Sequence, residues 1–231
     1  MSPSGAVLAE NGPDSFIWWE WIDNHRDDIR EATVEHLQLT FGPVAAGFAI
    51  AMVLAVISIR WRRTYGPIAA FAGTLYSIPS LALFGVLVPI TGLGFKPAFI
   101  ALTSYTLLLL LRNTVEGIDG VPQSVKDAAD GMGYEPWRRF LAVDLRLATP
   151  TIVSGLRIAT VTIIGLVTVA ALVGSGGYGT FIDDGLDRQF PTPIVVGAGL
   201  SILMAIAFDL LFVLVQRLLT PWTRITTAPE A

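Results

Sequence analysis

The chain has 231 residues, 53% of them hydrophobic and 15% charged, with a mean hydropathy of +0.62. Soluble domains carry roughly 25% charged residues, so this shortage, gathered into long apolar runs, points to lipid as the solvent. A formal net charge of −4 speaks against nucleic-acid binding, and the lack of cysteine excludes disulfides, thiol catalysis and cysteine-ligated metal.

Residues 1–15 are small, polar and contain Pro and Gly, and they are expected to be disordered. They lack the cationic start and compact apolar stretch of a cleaved signal peptide. In 16–35, Phe16, Ile17, Trp18, Trp19, Trp21 and Ile22 precede a charged helical stretch. Trp favours the membrane–water interface. The segment therefore reads either as an amphipathic helix on the outer surface or as a lead-in to the first span.

A helix needs about 20 apolar residues to cross hydrocarbon. Stretches at about 37–59, 68–90, 95–112, 151–173 and 194–215 meet that need. The expected fold is an all-α integral membrane protein with about five transmembrane helices. Pro67, Pro97, Pro150 and Pro193 stand at span starts, where a missing N–H costs nothing. Thr149 and Thr192 are candidate N-caps. Pro79 and Pro89 fall inside the second span, where a kink is tolerable if neighbouring helices satisfy the freed carbonyls.

The loops divide the 15 Lys and Arg residues unequally. Arg60, Arg62, Arg63, Arg112, Lys126, Arg138, Arg139, Arg146, Arg157, Arg217 and Arg224 fall on one side. Arg26, Arg30, Lys96 and Arg188 fall on the other. The richer side is expected to be cytoplasmic, which puts the N-terminus outside and the C-terminal tail, 218–231, inside.

Residues 113–150 form the longest non-apolar stretch between spans. Ser124-x-x-Asp127 has capping-box spacing, so a helix should start there and continue through Ala128, Ala129 and Met132. Gly131 or Gly133 can end it. Glu135-Pro136 then opens a second helix, giving an elbow on the cytoplasmic side with small residues exposed on its first helix.

Asp127-Ala128-Ala129-x-x-x-Gly133, followed ten residues later by Val143-x-Leu145, resembles the EAA loop of ABC importer permeases. Asp127 stands where that motif has Glu and Val143 where it has Ile. Arg146 replaces its Pro, which bears on the helix bend expected after the loop. Leu75-Tyr-Ser-Ile-Pro-Ser-Leu-Ala-Leu-Phe84, Leu111-Arg-Asn-Thr114 and Ala171-Leu-Val-Gly-Ser-Gly-Gly-Tyr-Gly179 resemble permeases of the glycine betaine/carnitine/choline branch. Together these motifs cover most of 34–217. The resemblance implies a type I ABC importer permease fold, with Asp127, Ala128, Ala129, Gly133, Val143 and Leu145 coupling the chain to an ATPase. It also implies three partners: a cytoplasmic ATP-binding subunit, an extracytoplasmic substrate-binding protein and a second permease subunit, identical or paralogous. The implied solutes are compatible solutes such as glycine betaine, choline or carnitine, although importers of methionine and other small solutes share the loop.

Other features have plainer readings. Gly174-x-Gly176-x-x-Gly179 spells a dinucleotide fingerprint but follows a membrane helix rather than a strand. It is expected to be a flexible outer turn. No G-x-x-x-x-G-K-[ST] loop occurs, so ATP hydrolysis is expected on another chain and no cofactor or metal is implied. Asp209, an acid inside the fifth span, marks either a solute pathway or a structural bond within the bundle. Tyr76, Ser77, Ser80, Thr103, Ser104 and Tyr105 are pathway candidates in the second and third spans, or helix-to-helix hydrogen-bonding groups. Tyrosines suit a quaternary ammonium ion through cation–π contact. A membrane scaffold or an intramembrane enzyme is the alternative class. An enzyme would show paired ionisable groups at one depth, and in the sequence Asp209 stands almost alone.

Overall fold

A computed structural model describes residues 17–222; the expectations for 1–15 and for the tail beyond 222 lie outside the described residues. Ten α-helices occur among the described residues: α1 (Trp19–Asn24), α2 (Arg26–Arg60), α3 (Tyr65–Ser77), α4 (Ser80–Thr91), α5 (Phe95–Asp119), α6 (Gln123–Gly131), α7 (Pro136–Arg139), α8 (Leu145–Ala170), α9 (Gly179–Asp187) and α10 (Pro191–Leu219). A π-turn at Phe140–Asp144 joins α7 to α8.

The N-terminal segment follows the lead-in reading over most of its length. Only Trp19–Asn24 forms a separate helix. The chain turns once at His25, and Arg26–Glu35 is then the charged start of the first long helix. Trp21 fixes the turn: it is buried, stacks on His25 at 4.2 Å and meets Phe181 and Phe190 edge-on at 5.8 and 6.2 Å. The Trp18 amide donates to Thr192 Oγ1 at 2.9 Å. Thr192 thus ties the N-terminal segment to α10 instead of capping that helix.

Among the described residues, four helical stretches are long and apolar enough to cross a membrane: α2, α5, α10 and the continuous run from α7 through α8 to Val173. The expected second span is broken. α3 and α4 meet at 93° around Ile78-Pro79. With 13 and 12 residues, each half reaches only about 20 Å at 1.5 Å per residue, short of the ~30 Å hydrocarbon core. The pair makes a fifth span only when its halves are taken together. Pro79 stands at the break, whereas Pro89 stays inside α4.

Pro150 is another departure from expectation. It lies within α8 rather than at a helix start, and Thr149 is no N-cap: its hydroxyl donates to Leu145 O at 3.0 Å. Helix continues across Arg146, the position where the resembled motif has its proline, so the chain passes from the π-turn into α8 without a break.

The core lies where α2, α5 and α8 pack on one another. Without water between them, membrane helices associate through close packing of small residues. Here Ala51 and Ala55 of α2, Ala98 and Ala101 of α5, and Ala159 of α8 are fully buried among Leu102, Leu110, Leu111, Ile163 and Val167. Gly155 of α8 allows closer approach still, since a Cβ there would lie 2.5 Å from Asn113 Cβ. By contrast, only 11% of the apolar window of α10 is buried. Ile202, Leu203, Ile206, Leu210 and Leu214 stand exposed along it, as a lipid-facing helix requires.

Arg157 and Asp209 correct two sequence readings together. Arg157 is in the middle of α8, within the expected 151–173 span, and so does not count among the loop charges, and Asp209 is not alone. One edge of the guanidinium is used: Nε and Nη2 donate to the two oxygens of Asp209, the latter at 2.7 Å. The pair clamps α8 to α10.

Candidate functional site

The elbow between α5 and α8 is built by turn chemistry. Pro122 precedes α6 with extended backbone, and the Ser124–Asp127 capping box is not made; no side chain caps the helix. Asp127 instead accepts from Gln123 Nε2 at 2.8 Å, one turn back along α6. The helix ends at Gly131, and Gly133 takes φ +83°, a left-handed conformation that glycine adopts without strain. Glu135 is extended before Pro136, which opens α7.

The six coupling candidates divide by exposure. Asp127, Ala128 and Gly133 face outward, and nothing lies within 4 Å of a Cβ built on Gly133. Ala129 is buried, and Val143 and Leu145 are half-buried. Leu145 packs with Ile118, Ala148 and Ile152. The first three residues are accessible, while Leu145 seats the elbow on the bundle. Beside the outward group stand Met132 and Trp137, 71% and 62% exposed.

Several elbow residues escaped sequence reasoning. Arg139 Nη1 donates to Asp130 at 2.5 Å, and its Nε lies 3.6 Å from buried Asp144. Arg138 lies over the Tyr134 ring at 5.3 Å. Lys126 Nζ donates to Ile118 O at 3.3 Å, tying α6 to the end of α5. Nearby, Arg62 and Asp119 form a two-bond pair that joins the α2–α3 connection to the end of α5. The carboxylate raises the Arg62 pKa further above its ordinary value. No helical periodicity relates Asp130 to Arg139, so sequence spacing carries no signal of that contact.

The pathway candidates are only partly gathered. Ser77, Thr103 and Ser104 donate to the carbonyls of Gly73, Phe99 and Ile100, one turn back on their own helices. Tyr105 does more. Its hydroxyl donates to Ile78 O at 2.5 Å, satisfying a carbonyl at the break between α3 and α4. Tyr76 packs edge-on to it with ring centroids 6.0 Å apart. Ser80 begins α4 just beyond. Tyr76, Ser77, Ser80 and Tyr105 thus surround the break. Asp209 lies apart on α10, held by Arg157. A carboxylate doubly bonded to a guanidinium, which stays protonated, is a poor proton carrier.

At the opposite end of α8, the glycine-rich turn is pinned rather than flexible. Gly174, Gly176 and Gly177 take φ of +74°, +87° and +82°. The Gly177 amide donates to Glu35 Oε2 at 2.8 Å, and Tyr178 N donates to His36 Nδ1 at 3.3 Å. His36 Nε2 donates in turn to Ile164 O at 3.1 Å, so both bonds require the Nε2–H tautomer. The Tyr178 hydroxyl donates to Thr33 Oγ1 at 3.0 Å. Gly94 N closes the other flank on Val173 O at 2.8 Å. Among the described residues no group of three His, Asp or Glu side chains is placed to hold a metal.

The sequence and the fold match known proteins. Residues 44–225 match the family described as the binding-protein-dependent transport system inner membrane component. The chain is 33% identical over 202 residues to the choline transport system permease protein OpuBB of Bacillus subtilis, covering 87% of this chain and 93% of that protein. It is 34% identical over 201 residues to the glycine betaine/carnitine/choline transport system permease protein OpuCB of the same organism, with the same coverage. Among solved structures, an inward-facing form of the MetNI methionine ABC transporter aligns with a TM-score of 0.76 at 20% identity, over 86% of this chain and 99% of that one. A bundle with this fold, with its helical elbow between α5 and α8, belongs to the family of binding-protein-dependent transport system inner membrane components, the permeases of ABC importers.

Proposed function

We propose that this permease imports quaternary ammonium compatible solutes, such as glycine betaine, choline or carnitine, and that its elbow is the dock for a separate ATP-binding subunit. The observation that carries the docking reading is the outward group Asp127, Ala128, Gly133, Met132 and Trp137 on a well-seated elbow. Small residues permit close approach, the aspartate offers charge to a basic partner, and the two large apolar side chains supply area to bury. The substrate reading draws on the solutes named for the relatives. It suits the Tyr76–Tyr105 pair beside the broken helix, where an aromatic face meets a route for a cation.

On this reading, two permease subunits form the pathway, as identical copies or with a paralogue. Two ATPase subunits dock below and hydrolyse the ATP, and an external binding protein delivers solute. The elbow faces the cytoplasm and the glycine-rich turn faces outward. With Arg157 placed inside the bundle, the remaining basic residues still fall mostly on the elbow side.

The test is uptake into proteoliposomes containing the permease, the ATPase and the cognate binding protein. Labelled glycine betaine, choline, carnitine, methionine and histidine form the panel. Uptake of only the amino acids would overturn the substrate reading. Gly133→Asp meets no neighbour within its own chain and carries only local backbone strain at φ +83°, so it should leave the protein in the membrane while abolishing uptake. Full uptake by that variant would refute the docking role.

A further inference from the structure

We propose that Arg139 is a positioning residue, a two-position strap shared between Asp130 on α6 and Asp144 on the π-turn; this rests on the reading of the elbow as the ATPase dock. In the present structure the strap is seated on one side only. Nη1 makes its bond to Asp130 at 2.5 Å. Nε stands 3.6 Å from Asp144 Oδ2, near enough for charge attraction and too far for a hydrogen bond. Nε and Asp144 Oδ1 are both buried, and neither makes a hydrogen bond. Asp144 is only 4% exposed. A buried carboxylate with an unsatisfied oxygen is costly, so Asp144 exerts a standing pull on the same guanidinium that Asp130 holds.

The two claimants sit on different parts of the machine. Asp130 belongs to α6, which also carries Asp127 and Ala128. Asp144 ends the π-turn, and the next residue begins α8, the helix that packs on α5 and α10. π-turns hold one residue more than α-turns and recur at functional sites. The π-turn thus lies at Phe140–Asp144, directly between strap and span. A push on α6 that lengthens the Asp130 contact releases Arg139. A guanidinium movement of under about 1 Å then brings Nε within hydrogen-bond range of Asp144. Displacement of the dock is converted in this way into a new bond at the root of α8.

The chain has no native cysteine, so a nitroxide pair at the exposed positions Ser124→Cys and Ala142→Cys reports the distance across the strap. The sample is the assembled transporter in nanodiscs with a cysteine-free ATPase subunit, nucleotide-free and then trapped with ATP and vanadate. We expect the unaltered strap to give two different distances in the two states. Asp144→Asn, which weakens the inner claimant, should hold the nucleotide-free distance in both. Asp130→Asn, an exposed change that the fold tolerates, should shift the nucleotide-free distance to the trapped value. One distance throughout for the unaltered strap, or an Asp130→Asn sample identical to it, overturns the proposal. A permease that recruits no ATPase overturns the docking reading and the strap with it. A complete complex with an unmoved distance overturns the strap alone.

Discussion

Asp209 is a carboxylate at membrane depth, and its consequences depend on one neighbour. With Arg157 in place, both charges are paired edge to edge. Asp209→Asn leaves an arginine without its counter-charge on a helix that must enter lipid, so the amount of protein in the membrane should fall. The exchange Arg157→Asp/Asp209→Arg should restore it, as immunoblots of purified membranes would show. Arg62→Gln, at an exposed pair, should change stability by less than about 1 kcal/mol in thermal unfolding of the detergent-solubilised protein. Gly155→Ala forces a methyl against Asn113 Cβ, and such overpacking costs about 1–3 kcal/mol in the same measurement. Sequence alone marked Asp209 because an acid in an apolar run stands out. It missed the partner because the tally of loop charges takes in Arg157, although that residue lies inside the 151–173 stretch.

At the scale of elements, two turns share a left-handed glycine and differ in surroundings. Gly133 and Gly177 have nearly equal φ, +83° and +82°. Nothing crowds a Cβ at 133, whereas a Cβ at 177 would sit 3.2 Å from His36 Nδ1 and 3.3 Å from Val167 Cγ1. Alanine at either position carries backbone strain of about 1–3 kcal/mol. Gly177→Ala should lower the unfolding temperature more than Gly133→Ala, because it also disturbs the Glu35 and His36 bonds. The presence of helices was legible from apolar length, and the elbow from its glycine and proline spacing. The place of the break was not. Pro79 and Pro89 both interrupt the second apolar run, and only tertiary contact, the Tyr105 bond to Ile78 O, selects the first. The pinning of the glycine-rich turn was hidden for a similar reason: Glu35 and Gly177 are separated by 142 residues.

For the whole molecule, the distribution of basic residues predicts which end meets which compartment. In intact cells, a membrane-impermeant maleimide should label Asp187→Cys directly. It should label Ser124→Cys only after permeabilisation. The reverse pattern would invert the orientation proposed above. The broken helix carries a further consequence. Around Ile78-Pro79 the chain interrupts its own hydrogen-bond ladder, and Tyr76, Ser77 and Pro79 are exposed there. Hydrocarbon offers no replacement donors or acceptors, so irregular backbone at that depth persists only against protein or water. A lone copy dissolved in lipid would leave this seam uncovered. The α3–α4 amides should therefore exchange with deuterium faster in solitary subunits than in the assembled transporter, because the second permease subunit proposed above would cover the seam and so finish the fold.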